Sequence, residues 1–190
     1  MSDFEYLTVL IAIILGIGIT HILKSLGRIL GATKSLNISV AHLIWTANIV
    51  TFLVVFWWWG INLRELREWV FLQYFFLLFD TSLWCLMAAL LYPTAIPKDY
   101  DLRAHFAEKR KAFFSILILL AIADPLTSMI LGTEHLRDLG WAYLHWALAC
   151  FVGGILGFRY ENERLQQAVA IYWGLSMVVT VLAWQYSVGI

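Results

Sequence analysis

The feature that most constrains this chain is a long apolar run, Val70–Tyr92, with a single acid, Asp80, near its middle. A helix needs about 20 apolar residues to cross the hydrocarbon core of a bilayer, and this run is long enough. Ionisable side chains inside a membrane are costly and usually face the interior of a helix bundle. We therefore predict a membrane-spanning helix that carries a functional or structural acid at mid-depth.

The rest of the chain repeats this pattern. Of its 190 residues, 62% are hydrophobic and 14% are charged, whereas a soluble domain is usually about half apolar and about a quarter charged. Six stretches are long and apolar enough to span a bilayer: 4–30, 40–61, 70–92, 112–131, 141–158 and 165–187. We predict an all-α, polytopic integral membrane bundle of six transmembrane helices that forms a single domain, with no soluble domain. The net charge of zero gives no indication of a nucleic-acid partner or an acidic substrate.

The basic residues are distributed unequally between the predicted loops. Ten of the thirteen Lys and Arg residues lie in the first, third and fifth loops: Lys24, Arg28, Lys34, Lys98, Arg103, Lys109, Arg110, Lys111, Arg159 and Arg164. Cytoplasmic loops carry an excess of Lys and Arg. We therefore expect these loops in the cytoplasm and both termini on the periplasmic side of a bacterial inner membrane. Trp59 and Trp184 then fall near the outer interface, where an aromatic belt is expected.

The longest loop, 93–111, is predicted to form a cytoplasmic amphipathic segment. Asp99 or Asp101 can cap a short helix that runs into the fourth span. Its bases would favour anionic lipid headgroups, and they are Arg103, Lys109, Arg110 and Lys111. The alternative is a plain positive-inside anchor with no lipid- or partner-sensing role.

Two segments carry a resemblance to known proteins. ILGIGITHIL in the first span, together with DYDLRAHFAEKRKAFF in the central loop, resembles small multi-span bacterial inner-membrane proteins of unassigned function. The resemblance covers most of the chain. It implies a bacterial membrane location, and it implies no activity and no site residues.

Two acids are expected at the same depth of the bundle. With a rise of about 1.5 Å per residue, Asp80 lies about 15 Å from the outer end of its span, and Asp124 lies about 18 Å from the inner end of the fourth span. The two carboxyls can meet if the third and fourth spans are neighbours. Without a bound cation, one of them should then hold a proton, because two close carboxylates cannot both ionise cheaply.

Other polar groups extend this pattern. Pro125 follows Asp124 directly, and such a pair can break or kink a helix at mid-membrane. Gln73 lies on the same face as Asp80, two turns earlier, and His21 lies in the inner third of the first span. One hypothesis is a polar path through Gln73, Asp80, Asp124 and His21. The alternative is that these groups only fix helix packing through hydrogen bonds.

Two rows of small residues predict close helix packing. In lipid, helices associate through dispersion and interhelical hydrogen bonds, and small residues let their backbones approach. The first row is Ala12, Gly16 and Thr20, and the second is Ala149, Gly153 and Gly157.

These features favour a small membrane transport protein, an ion channel or an ion-coupled transporter for protons or a monovalent cation, that forms a homo-oligomer. A structural or accessory membrane subunit without transport activity is the main alternative. A haem-bearing redox anchor is a distant one, since no two histidines are well matched in depth. We expect no cofactor, no metal and no enzyme activity, because the sequence has no P-loop, H-E-x-x-H, G-x-S-x-G or C-x-x-C motif.

Overall fold

The computed structural model describes residues 3–32, 37–66, 69–95, 100–132 and 140–188. Helices and connecting turns account for these residues, and no strand occurs among them. The helices are α1 (Asp3–Leu30), α2 (Val40–Trp59), α3 (Phe71–Leu91), α4 (Leu102–Leu131), α5 (Gly140–Arg159) and α6 (Glu163–Val188), with a 3₁₀ turn over Gly60–Glu65. All six helices are long and apolar enough to cross a membrane. The prediction of an all-α chain with six such helices is therefore confirmed.

The fourth helix is longer than the predicted span. It begins at Leu102, so the short helix that was expected to run into the fourth span is the first part of α4 itself. Asp101 caps it, since its Oδ1 accepts a hydrogen bond from the Ala104 amide at 2.8 Å. The hydrogen bonds from Ala104 and Asn37 hold the pKa of the Asp101 carboxyl below its ordinary value. The cap is therefore charged at neutral pH, which suits a helix N-terminus; the other candidate, Asp99, lies outside the described residues.

The six helices form a closed ring. Following contacts around the bundle, the order is α1, α3, α4, α5, α6, α2 and back to α1, and α2 also touches α3. The third and fourth helices are therefore neighbours, which is the condition for Asp80 and Asp124 to meet. The loop bases Lys34, Lys98 and Arg137 lie outside the described residues.

An aromatic core fills the centre of the ring. Phe52 of α2 stacks on Trp84 of α3 with ring centroids 3.8 Å apart, and on Trp146 of α5 at 5.4 Å. Trp173 of α6 lies 5.9 Å from the same phenylalanine ring. These four residues are all buried, so this core joins four of the six helices.

The second row of small residues brings α4 and α5 together. A Cβ added at Gly157 would lie 2.3 Å from the Phe114 ring, and one added at Gly154 would lie 2.6 Å from the Ile118 side chain. Real Cβ atoms do not approach that closely, so only glycine allows this contact. Gly16, in the first row, has nothing within 4 Å of its added Cβ.

Gly157→Ala should therefore destabilise the bundle, whereas Gly16→Ala should not. Phe114 is fully buried, so its ring cannot swing away, and overpacking of this kind costs about 1–3 kcal/mol. The measurement is thermal unfolding in detergent, followed by circular dichroism at the helical band. An equal change in Tm for the two variants would contradict this account of the α4–α5 contact.

Arg110 does not lie at the lipid interface, contrary to the expectation from the sequence. Its side chain is 6% exposed. Its Nη1 donates to the carbonyl oxygens of Gly157 at 2.5 Å and Phe158 at 2.7 Å, and its Nη2 donates to Glu161 at 2.7 Å. The last carbonyls of α5 have no backbone donor of their own, and a cation complements the negative end of a helix. Arg110 is therefore a cap for α5.

The other three bases of this segment do lie at the surface. Arg103 pairs with Glu163 at the start of α6, and its side chain is 56% exposed. Lys109 pairs with its neighbour Glu108 at 2.7 Å. Lys111 is exposed. We call the end of the bundle that holds Arg103 and Arg110 the basic end.

Candidate functional site

Two carboxyl groups meet inside the bundle. Asp80 of α3 is 1% exposed, and Asp124 of α4 is half-buried. Their side chains lie within hydrogen-bonding reach of each other. Asp80 and Asp124 together are called the carboxyl pair below.

The two members of the carboxyl pair have different surroundings. The Tyr143 hydroxyl of α5 donates a hydrogen bond to Asp124 Oδ2 at 2.6 Å. The Ser128 hydroxyl lies 3.4 Å from the same tyrosine oxygen. Oδ1 of Asp80 is buried and has no hydrogen-bond partner within the described ranges. Asp124 is therefore held in place by α5, and Asp80 keeps an unsatisfied oxygen.

No base neutralises the carboxyl pair. Within the part of the chain that the structure describes, neither Asp80 nor Asp124 forms an ion pair with Lys, Arg or His. The Trp84 indole, one turn after Asp80, lies beside its carboxyl, but its Nε1 forms no hydrogen bond among the described residues. Two acids without a cation in a buried site cannot both stay ionised at low cost. The arrangement is suited to hold a proton or to bind a cation.

A cavity reaches the carboxyl pair from one side. It has a volume of about 70 Å³ and lies between α2, α4, α5 and α6, with the Asp124 side chain in its wall. Six aromatic residues line it: Phe52, Phe56, Trp59, Tyr143, Trp146 and Trp184. Trp59 and Trp184 stack at 6.0 Å, and we call the end of the bundle where they lie the tryptophan end. The cavity thus extends from mid-depth towards the tryptophan end.

The bundle is packed on the other side of the carboxyl pair. From Asp80 towards the basic end, α3 presents Trp84, Met87, Ala88 and Leu91, all of which are fully buried. These apolar side chains separate the pair from the basic end. Within the described residues, the cavity therefore approaches the pair from the tryptophan end, and packed side chains lie on the other side.

Gln73 and His21 lie away from the carboxyl pair. Gln73 accepts from the Val70 amide at 3.1 Å and donates to the Ile130 carbonyl at 3.2 Å, so it ties the start of α3 to the end of α4. His21 Nε2 lies 3.0 Å from the carbonyl oxygen of Tyr92, near the basic end. Of the four residues in the predicted polar path, the structure brings together only the two acids.

The break predicted at Pro125 is not present. The helix α4 runs without interruption from Leu102 to Leu131, with Pro125 inside it. Proline removes one backbone donor. The helix α4 is nevertheless packed between two neighbours, α3 and α5. Asp124 is therefore presented by a continuous helix and not by the cap of a new one.

The remaining histidines of the described residues have other partners. His105 Nε2 lies 3.3 Å from the Leu90 carbonyl, and His145 Nε2 lies 2.9 Å from the Tyr172 hydroxyl. The His42 ring stacks on Phe106 at 5.2 Å. No group of three or more His, Cys, Asp or Glu residues suited to a metal ion occurs among the residues searched. His135 lies outside the described residues.

Sequence reasoning missed Tyr143 and the aromatic lining of the cavity. Tyr143, Trp146 and Cys150 recur at three- and four-residue spacing and so share one face of α5. That face could have been recognised as amphipathic at the depth of Asp124. The Trp residues near helix ends were instead assigned to an interface, because the same residue type serves both purposes.

The fold and the site together define a class: a bundle of six helices long and apolar enough to span a membrane, with an acid pair at mid-depth. Comparison of the chain with protein-family models, with curated proteins and with solved structures found no match. The function is therefore inferred from the geometry of the site.

Tyr143→Phe should slow any process that uses the carboxyl pair. The substitution removes one hydroxyl and leaves Asp124 without its 2.6 Å donor. A hydrogen bond to a charged group contributes about 1.5–3 kcal/mol, so we expect an approximately tenfold or greater fall in the rate of proton movement in liposomes. Tyr172→Phe is the matched control, because that residue is 51% exposed and its hydroxyl lies 2.9 Å from His145 Nε2, away from the carboxyl pair. An equal effect of both variants on the rate would show that Tyr143 has no specific role at the carboxyl pair.

Proposed function

We propose that this chain is a small proton-coupled membrane transporter, and that it inserts as a six-span bundle into a bacterial inner membrane. The observation that carries the proposal is the carboxyl pair at mid-depth, in which Asp80 is buried, Asp124 is half-buried and neither forms an ion pair with a base among the described residues. The tryptophan end would face the periplasm with both termini, and the basic end would face the cytoplasm. The excess of Lys and Arg in the odd loops supports this orientation.

A carboxyl pair of this kind supports proton exchange. Two carboxyls within hydrogen-bonding reach of each other can share one proton. That proton then belongs to the pair more than to either residue. Uptake or release of that proton requires no large structural change at the site. Since a charged group in the hydrocarbon region is costly, a pair kept there without a partner is better explained by function than by packing.

Access from one end favours a transporter over a channel. A channel needs a continuous path at one moment, whereas a transporter exposes its site to one side at a time. The cavity joins the pair to the tryptophan end, and Trp84, Met87 and Leu91 separate it from the basic end. In this proposal the structure corresponds to the state open to the periplasm, and transport requires the aromatic core to repack.

The alternative is a structural or accessory subunit, and it is favoured by a different set of polar groups. Asn48 donates to the Ala170 carbonyl at 2.7 Å, and Thr180 donates to the Ala142 carbonyl at 3.0 Å. Together with Gln73, these bonds join neighbouring helices and serve packing. Packing does not account for the carboxyl pair, because one oxygen of Asp80 stays unsatisfied.

The test is proton movement by the pure protein in liposomes with a trapped pH indicator. A potassium-driven voltage, or an opposed gradient of sodium or a small ammonium, supplies the driving force. We expect faster proton movement than in protein-free liposomes. Folded, inserted protein that moves no protons under any of these gradients would contradict the proposal and favour an accessory role. A homo-oligomer and contacts of Arg103, Lys109 and Lys111 with anionic lipid headgroups stay predictions.

A further inference from the structure

The cavity at the tryptophan end is lined mainly by aromatic residues and by one carboxyl group. Six of its lining residues are aromatic, and the single charged group among them is the Asp124 carboxyl. No Lys, Arg or His is part of this lining. The other polar side-chain groups of this lining are the hydroxyls of Ser128, Tyr143 and Thr180 and the indole N–H groups of its three tryptophans.

We propose that this cavity binds a small organic cation of the ammonium class, held by the Asp124 carboxylate and by the faces of the surrounding aromatic rings. The inference deepens the proposed function and rests on it, because the same acid belongs to the carboxyl pair. It names the kind of substrate that would be exchanged for a proton.

Charge selects the class of ligand. Aromatic faces attract cations through the ring quadrupole, and tryptophan does so best. The acid adds an opposite charge in a site where water is largely replaced by apolar walls. An anion would be repelled by Asp124. A bare metal cation would find few oxygen ligands, since most of the wall is carbon, whereas an alkylated ammonium matches both the acid and the rings.

Size limits the ligand. A volume of about 70 Å³ holds several water molecules or an ammonium with about five non-hydrogen atoms. Larger cations would have to extend between Trp59 and Trp184 at the mouth. Tetramethylammonium is therefore a suitable probe, and tert-butanol is a neutral molecule of similar size.

Two unsatisfied groups lie at the inner end of this site. The buried indole Nε1 of Trp146, a lining residue, has no hydrogen-bond partner among the described residues, and neither does Oδ1 of Asp80. A donor and an acceptor that lack a partner can bond to water or to a ligand in the cavity. Indole N–H groups outside the lining, those of Trp45 and Trp84, also lack a partner among the described residues.

The charges balance for a one-to-one exchange. Without a ligand, two carboxyls sharing one proton carry one negative charge. With an ammonium bound, both carboxyls can ionise, the proton leaves towards the cavity, and the net charge stays at minus one. Among the described residues, the Tyr143 hydroxyl and the Cys150 thiol, both on α5, are the titratable groups that interact with the pair. Entry of one cation should therefore release one proton.

The experiment measures binding and proton release by the full-length protein in detergent. Tetramethylammonium is titrated by calorimetry, and a parallel titration in weakly buffered solution follows a pH indicator. We expect saturable binding with about one proton released per protein, and no competition by tert-butanol. Trp184→Leu should raise the Kd about three- to tenfold, while Trp184→Phe should keep most of the affinity. Trp141→Leu, at a residue that is 70% exposed and outside the cavity, is the matched control.

The possible results separate this inference from the proposed function. No binding, or binding that Trp184→Leu and Asp124→Asn leave unchanged, would overturn the inference. Equal competition by sodium or by tert-butanol would overturn the assigned ligand class. Binding without proton release would overturn the exchange. Since proton movement under a voltage is measured separately in liposomes, transport without ammonium binding would reject this inference and keep the proposed function.

Discussion

Asp80→Asn should abolish proton movement in liposomes, with a fall in rate on the order of a hundredfold or more, while the bundle stays folded. The amide has nearly the same size as the carboxyl, so the packing around this 1% exposed residue is kept. The asparagine amide cannot take up or release a proton near neutral pH. Asp124 alone then lacks the second carboxyl with which it shares a proton, and the exchange stops.

Two further variants decide how the Asp80→Asn result is interpreted. Glu108→Gln makes the same kind of change at an exposed acid outside the site, and it should leave proton movement unchanged. Asp80→Glu restores the carboxyl and should recover part of the rate. If Asp80→Asn changed only the thermal stability and left proton movement intact, the carboxyl pair would be a packing element, and the accessory role would be the better account.

Arg110→Met should cause the largest loss of stability among substitutions at the basic end. The change leaves the terminal carbonyls of Gly157 and Phe158 without the donor that the guanidinium supplies. Hydrogen bonds that involve a charged group contribute about 1.5–3 kcal/mol, although the Gly157 carbonyl keeps a second donor, the Gln166 side chain at 3.1 Å. The measurement is unfolding in detergent by a denaturing surfactant, followed by circular dichroism.

Arg103→Met is the matched control for Arg110→Met. It removes the same charge from the same helix, but the ion pair of Arg103 with Glu163 is largely exposed, and such pairs contribute about 0–1 kcal/mol. Arg110→Lys should fall between the two, because a single ammonium cannot reach several carbonyls as a planar guanidinium does. Equal stability of the Arg110→Met and Arg103→Met proteins would show that the α5 cap is unimportant.

The six helices could be predicted because their signal is local. A run such as Val70–Tyr92 carries its own length and hydropathy, and both are readable without any other part of the chain. The contact between Asp80 and Asp124 could be predicted only on the condition that their two helices are neighbours. The helical rise gives the depth of each residue, but it does not give the order of the helices in space. The structure supplies the missing fact that α3 and α4 are neighbours.

Two expectations failed where long-range packing matters. Arg110 was expected in lipid headgroups, but the end of α5 covers its guanidinium. Pro125 was expected at a helix break or kink, and α4 is unbroken there. The rotation of a helix about its axis is set by such long-range packing. Gly157 illustrates this, because a Cβ added there would lie only 2.3 Å from the Phe114 ring of α4. A single sequence does not report which helix will provide it.

The aromatic core gives this bundle an optical probe of its own. Trp84 lies beside the Asp80 carboxyl and within 6.2 Å of Trp146, which lines the cavity. Indole emission responds to nearby charge and to water, so a change of charge at the carboxyl pair or entry of a cation should alter the intrinsic fluorescence. Events at the site can therefore be followed in real time without attaching a dye.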